Sequence, residues 1–398
     1  MCKSHHSNGS ERVAMLGSFP PLRALSSYCL ELALAIADLV QLEFISFSKI
    51  YPAFLYPGGG LKNDHSFPAI GHPNLRVKRR LTWYNPVTWI VEGLFTKADL
   101  LHAQWWSLPL ILVYAVVCGG FKLRGKPVIF TVHNVLPHER IFFHIMASRL
   151  VFKLADHFIV HSASNRARLI KYYCIPPERV TQIPHGPLDF HVQGDVDRQA
   201  VRKEMGFRPE NRVILLFGAI RPYKGIHTAL KAFKEVCRKN PEARLLIVGK
   251  LWEKWERYER LIGELGVGEY VTTYLRYVSS ANVCNYFMAS DLVILPYHHF
   301  DSQSGVGAIA ISFRKPMIVT NVGGLPELVE DHRFVVPPKD ADALARAIIK
   351  CLKDYSQLEA MSKSTETIAA RVAWPLIAKK TRAVYRKVLG TRDIPPET

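Results

Sequence analysis

Gly218-Ala219-Ile220-Arg221-Pro222-Tyr223-Lys224-Gly225 sets two cations between two glycines, directly after the apolar run Val213-Ile214-Leu215-Leu216-Phe217. A buried strand that opens into a glycine-flanked basic turn, followed by a helix predicted over Ile226 to Val236, is how a parallel sheet builds an anion site at a strand's carboxyl end. The pattern reads as a phosphate clamp. Taken alone, it is equally compatible with a surface loop whose Arg221 and Lys224 are merely solvated.

A second signal lies further along. The strand candidate Leu292-Val293-Ile294-Leu295 leads through Pro296-Tyr297 into the polar loop Asp301-Ser302-Gln303-Ser304-Gly305, then an apolar helix candidate. The strand Met317-Ile318-Val319-Thr320 and the turn Asn321-Val322-Gly323-Gly324-Leu325-Pro326-Glu327 follow. In order and spacing, Arg-Pro-Tyr-Lys-Gly at 221–225, Gln-Ser-Gly-Val at 303–306 and Lys-Pro-Met-Ile-Val-Thr-Asn-Val-Gly-Gly-Leu-Pro-Glu at 315–327 resemble the retaining GT-B glycosyltransferases of family GT4. The resemblance is specific for fold and reaction type and says little about which sugar. It implies an α/β protein of two Rossmann-like parallel-sheet domains facing across a cleft, with a final helix crossing back to the first domain. It also implies a hexosyltransferase that takes a UDP- or GDP-linked nucleotide-sugar as co-substrate.

Transfer from such a donor requires charge stabilisation on a departing diphosphate, from a metal or from fixed cations and backbone N–H groups. No Asp-x-Asp pair follows a strand, so no metal and no cofactor beyond the nucleotide-sugar are expected. Arg221 and Lys224 are expected to clamp the diphosphate, and Ser304, Gly305 and Val306, opening a helix, to aim N–H groups at its oxygens. Ser304 as a plain N-cap fits the same geometry. Ala219 stands where the family often has Arg, so the Arg role passes to Arg221. The family's two Glu residues eight apart map onto Asp301, which keeps a carboxylate for the sugar hydroxyls, and Ile309, which cannot bind a ribose; Glu327 is a possible substitute.

In the first half, Thr131-Val132-His133-Asn134 ends a buried strand, and in the family a His there sits over the transfer centre. With Asp301, Arg221 and Lys224, His133 completes the catalytic candidates. His138 and His185 are candidate acceptor contacts. So are Arg23 and Ser26, because Ala24-Leu25 replace the glycines usual after the first strand.

At 398 residues, 48% of them hydrophobic, the chain suggests two ordinary globular domains. Strand and helix patterns alternate in both halves, which implies parallel sheets covered on both faces. The expected division is 1–195 for an acceptor-binding domain, 205–375 for the nucleotide-sugar domain and 376–390 for the crossing-back helix, with a polar boundary between Gly186 and Asn211. The seven cysteines are scattered without Cys-x-x-Cys spacing and read as reduced thiols. The first fifteen residues hold no signal-like apolar core, so a cytoplasmic location is expected.

The net charge of +18 calls for an anionic partner. No nucleic-acid module is recognisable, which leaves phosphorylated substrates and an anionic membrane surface. Val77-Lys78-Arg79-Arg80-Leu81-Thr82-Trp83-Tyr84 places three cations beside two aromatics, the composition of a headgroup-level contact, though a solvated basic loop reads the same. The apolar stretch Trp105 to Phe121 is too short to span and carries Pro109, so it reads as a buried crossover helix. A peripheral enzyme of polysaccharide biosynthesis with a lipid-linked or glycan acceptor is the reading that fits best. A GT-B nucleotide-sugar epimerase and a catalytically weak nucleotide-sugar-binding subunit are the alternatives, the latter motivated by Ala219 and Ile309.

Overall fold

Short β-branched and leucine-rich runs separated by longer amphipathic segments fold, in each half, into one parallel sheet covered by helices. The computed structural model describes residues 11–390 except positions 24, 52–62, 68–69, 107, 136–140, 193, 195 and 354, so His138 lies outside the described residues.

The first sheet has the order β3-β2-β1-β4-β5-β6-β7. Its strands are β1 (Arg12–Leu16), β2 (Gln41–Lys49), β3 (Leu75–Thr82), β4 (Leu100–Trp105), β5 (Val128–Val132), β6 (His157–Val160) and β7 (Val180–Gln182). Helices α1 (Ser26–Ala37), α2 (Pro86–Phe95), α3 (Ile111–Leu123), α4 (Ile141–Phe152) and α5 (Ala163–Tyr173) connect them. One face packs under α2, α3 and α4, around Trp89, Tyr114, Phe130 and Phe152; the other packs under α1, around Phe19, Phe44 and Leu32.

Helix α6 (Arg198–Glu204) leads into the second sheet, whose order is β10-β9-β8-β11-β12-β13. Here the strands are β8 (Arg212–Phe217), β9 (Ala243–Val248), β10 (Val271–Tyr274), β11 (Leu292–Leu295), β12 (Met317–Thr320) and β13 (Val335–Val336). The helices are α7 (Ile226–Lys239), α8 (Glu256–Leu265), α9 (Val283–Ala289), α10 (Gly305–Ser312), α11 (Ala341–Lys353) and α12 (Tyr355–Arg371). Every strand pair in both sheets is parallel. Strand order reverses between β1 and β4 in the first sheet and between β8 and β11 in the second, and the crevice at such a reversal is where a doubly wound sheet takes its ligand.

The final helix, α13 (Trp374–Leu389), packs on α1 of the first half rather than on the second. Trp374 donates to the Pro187 carbonyl at 2.7 Å and fills the space that a side chain at Gly186 would need. Arg382 and Arg386 both pair with Glu11, and Tyr385 bonds His102 at 2.7 Å. Cys174 is exposed, and the other described cysteines are free and buried. Among the described residues no helix is long and apolar enough to cross a membrane.

The structure corrects one reading. Val77 to Thr82 is not a basic loop but most of β3, an edge strand, where cations guard unpaired backbone groups. Lys78 turns inward to Glu43 at 2.8 Å and Glu92 at 3.5 Å, and Arg79 donates twice to the Pro20 carbonyl. Two of the three cations expected at a membrane therefore hold the first half together.

Helices α2 and α3 cross at a pair of glycines. A Cβ on Gly120 would stand 2.6 to 2.9 Å from the backbone of Gly93. We expect Gly120→Val to force the helices apart at a cost of about 2 kcal/mol or more, seen as a fall of several degrees in the thermal midpoint. An unchanged midpoint would show that the two helices do not depend on this contact.

Candidate active site

Gly218 follows β8 at φ +104°, a conformation open to glycine, and its missing side chain leaves room for Lys224. A Cβ there would lie 3.3 Å from the Lys224 ammonium and 3.1 Å from Val306. The chain then makes a tight turn over Pro222–Lys224 and enters α7 through Gly225, φ +74°, where a Cβ would collide with the Pro296 carbonyl at 1.8 Å. Two obligatory glycines thus press the turn after β8 against the loop after β11.

Lys224 is only 6% exposed. Its ammonium donates to the Tyr297 hydroxyl and lies 4.2 Å from the centre of that ring. Tyr297 reaches Ser304 at 3.3 Å, and Ser304 caps α10 by accepting from the Gly307 N–H at 3.2 Å. The start of α10 therefore faces the ammonium, with Gly305 and Val306 as its first residues. Among the described residues no carboxylate pairs with Lys224. Burial, and then the neighbouring Arg221, pushes its pKa down to about 7. Arg221 stacks on Trp252 at 3.6 Å, and its buried Nε has no hydrogen-bond partner. Two cations and a helix N-terminus converge with no protein anion among the described residues, an arrangement that can bind an anionic ligand.

Across the cleft, the carboxyl ends of β4 to β7 bring together a buried histidine cluster. His133 faces Gln104 at 2.9 Å through Nε2 and His161 at 3.2 Å through Nδ1, while His161 Nδ1 meets the Ile183 carbonyl at 3.0 Å. That carbonyl can only accept, so in the neutral state His161 carries its proton on Nδ1 and accepts from His133 Nδ1–H. That tautomer leaves His133 Nε2 bare and requires the Gln104 amide, which stands with its oxygen toward His133 Nε2 and its nitrogen 3.2 Å from His102 Nε2, to be turned over. Burial, and then the adjacent His161, His185 and His102, holds the His133 pKa well below the usual range. Burial likewise takes His161 down to about 3 and His185 to about 4. Just after β5, both ring nitrogens of His133 are engaged inside the protein. His185 stands against Tyr28, 4.8 Å between ring centres, and bonds the Gly186 carbonyl.

The two halves meet through the loop after β11. Asp301 pairs with Arg168 of α5, Ser302 donates to the His133 carbonyl at 2.5 Å, and Gln303 reaches the His161 carbonyl at 3.5 Å. Glu327 also faces the first half, accepting from the Ala163 N–H at 3.1 Å and from Gln182 at 3.4 Å. Its carboxylate caps the start of α5, and burial raises its pKa. Ile309 is buried within α10, in the second core. Arg23 stacks on Tyr277 at 3.6 Å, and Ser26 is wholly buried with its hydroxyl unpartnered. The structure therefore gathers Arg221, Lys224, Ser304, Gly305 and Val306 on one wall and Asp301, His133 and His185 toward the other. Glu327 is engaged with the start of α5, Arg23 with Tyr277, and Ser26 is enclosed in the first half. Trp252, Tyr297, Gln104, His161 and Arg168 were not singled out in the sequence; the first four follow or end strands, the one signal that could have marked them.

Comparison with known proteins agrees with this architecture. The family description Glycosyl transferases group 1 matches residues 197–367, and Glycosyltransferase Family 4 matches residues 25–187. The chain belongs to the group 1 glycosyl transferases. Among curated relatives, D-inositol 3-phosphate glycosyltransferase of Segniliparus rotundus is 28% identical over 319 residues, 75% of this chain and 68% of the relative. Sucrose-phosphate synthase from Thermosynechococcus elongatus superposes with a TM-score of 0.71 at 19% identity, over 96% of this chain and 99% of the other. Anabaena HepE in complex with UDP and glucose gives 0.72 at 18%, over 95% and 100%. These similarities place this glycosyltransferase in the GT-B fold.

The buried ammonium has a signed consequence for stability. Lys224 has a folded pKa of about 7 against the ordinary 10.5, so the folded state resists its charge, and that penalty is relieved as pH rises from about 7 towards 10.5. Lys224→Met should be more stable relative to wild type at pH 7 than at pH 9, the gap narrowing by about 2 kcal/mol. Urea melts of both proteins at the two pH values measure it, and a gap independent of pH would show that Lys224 titrates normally.

Proposed function

We propose that this glycosyltransferase moves a hexosyl group from a nucleotide-sugar to an acceptor hydroxyl with retention of anomeric configuration. The observation that carries the reading is the buried Lys224 ammonium, without a carboxylate partner among the described residues, against the start of α10. A departing diphosphate supplies the missing anion. Lys224, Arg221 and the N–H groups of Gly305 and Val306 stabilise it as the bond from sugar C1 to phosphate oxygen breaks and the electron pair leaves on the phosphate. Retention requires the acceptor oxygen to bond C1 on the face the phosphate leaves, where a phosphate oxygen takes its proton. Asp301, on exchanging Arg168 for donor hydroxyls, orients the sugar. His133 acts from behind, holding Ser302 through its carbonyl. The charge stabilisation comes from these groups without a divalent metal. The UDP bound to the structurally similar HepE supports a nucleotide-sugar donor.

For the acceptor, a lipid-linked or growing glycan at a membrane surface is favoured by the net charge of +18 and by the apolar face of α2. A phosphorylated small-molecule acceptor is the second reading, supported by the names of the inositol-phosphate and sucrose-phosphate relatives.

Lys224→Ala and Arg221→Ala should each lower turnover about 100-fold or more, measured as nucleotide release from UDP- and GDP-sugars with excess chelator present throughout. Near-wild-type turnover in both folded variants would remove the clamp, and loss of wild-type activity in chelator with rescue by magnesium would remove its metal independence. Partition of radiolabelled product between organic and aqueous phases then separates the two acceptors.

A further inference from the structure

Thirteen large apolar side chains are exposed among the described residues, and six of them fall between Trp83 and Phe95. Helix α3, packed on α2, adds Leu112 and Leu123, and α4, packed on α3, adds Met146 and Leu150. Only three stand elsewhere.

Helix α2 is inside out. Val87, Ile90, Val91 and Phe95 recur at helical spacing and face outwards, with Val87 64% and Phe95 73% exposed. Its one charged residue, Glu92, is 2% exposed and faces Lys78. A surface helix in water shows the reverse pattern, and a contiguous exposed apolar row marks a contact with something apolar. The charges around it say what. In the sequences of α2, α3 and α4, Glu92 is the only carboxylate, and it is buried. Lys49, Arg80 and Lys97 are exposed at the borders, with the Lys49 ammonium 5.9 Å from the Tyr84 ring. An apolar strip bordered by cations, with Trp and Tyr at one end, matches acyl chains beneath anionic headgroups. A second copy of this chain would set the same cations against one another across a two-fold contact, which the charge pattern disfavours.

We propose that the outer face of α2, continued by α3, docks on an anionic lipid bilayer, a surface that rests on the membrane-acceptor reading above. Trp83 and Tyr84 follow the carboxyl end of β3, and Gln104 and His133 stand at carboxyl ends of the same parallel sheet, facing the cleft. The docking face thus begins at the same end of the sheet as the cleft, the end at which a lipid-linked hydroxyl would enter.

The test is co-sedimentation of the purified chain with vesicles of phosphatidylcholine alone or mixed with phosphatidylglycerol, at low and high salt. Wild type should bind the mixed vesicles, less so as salt rises, and pure phosphatidylcholine weakly. The combined variant Val87→Ser, Ile90→Ser, Phe95→Ser should partition at least about ten-fold less, because three apolar anchors are lost. Leu376→Ser, an exposed apolar control on α13, should partition as wild type does. Failure of wild type to bind mixed vesicles at low salt, or equal binding by the triple variant, overturns the proposal. So does a wild-type dimer that the triple variant dissolves without changing vesicle binding. Donor hydrolysis measured without vesicles keeps the readings separate: hydrolysis without vesicle binding sinks only the docking face, and binding without hydrolysis sinks only the donor reading.

Discussion

A buried ammonium with no counter-charge among the described residues is the constraint on which the second half is organised. Removing Lys224 from water is unfavourable unless something else solvates it, and here the Tyr297 hydroxyl and ring, backed by Ser304, do so. The glycines on either side keep that arrangement in place. Gly218 leaves the space the ammonium occupies, and Gly225 lets the turn approach Pro296. The reversal of strand order between β8 and β11 puts both loops at one crevice, so the fold supplies the site and the side chains supply its sign.

Contacts between the halves near this crevice are polar rather than apolar. Arg168 with Asp301, Ser302 with the His133 carbonyl and Glu327 with the start of α5 are ion pairs and hydrogen bonds, several of them partly exposed. Such contacts are each worth about 1 kcal/mol or less in water, so a ligand that offers hydroxyls and phosphates can exchange for them. A deeper clasp lies to one side, where Asp64 accepts from Tyr277 and from the Ser280 N–H and hydroxyl. Burial works to raise the Asp64 pKa, but hydrogen bonds from Ser66, Ser280 and Tyr277 together hold it below the ordinary carboxylate range. Helix α13 ties the chain's end to the first half through Trp374 and Tyr385.

The alternation of apolar strands with helices was legible along the chain, as was the basic turn after β8, because parallel strands are buried on both faces and read as continuous apolar runs. Strand β3 was not. Its Leu-Arg-Val-Lys-Arg-Arg-Leu-Thr carries edge cations that mask the apolar pattern, and a charge run read in one dimension conceals that neighbouring side chains on a strand point to opposite faces. Helix α2 escaped for a related reason, since its apolar row faces outwards and its one carboxylate inwards, the reverse of a core-facing stripe. The place of His133 could be read from its strand, but Gln104 and His161 lie on β4 and just after β6, and only sheet order makes them neighbours. The contact of Glu327 with the start of α5 had no local signal, because that segment belongs to the other half.

The central claim is that the Lys224 ammonium is held for a diphosphate, and proton linkage tests it most directly. A dianionic ligand beside Lys224 raises its pKa from about 7, so at pH 8, where the free protein leaves it mostly neutral, binding must take up a proton. Calorimetric titration of UDP or GDP at pH 8, in two buffers of different ionisation enthalpy, should show uptake of most of one proton by wild type and none by Lys224→Met. Binding without proton uptake, or with equal uptake by the variant, would contradict the account.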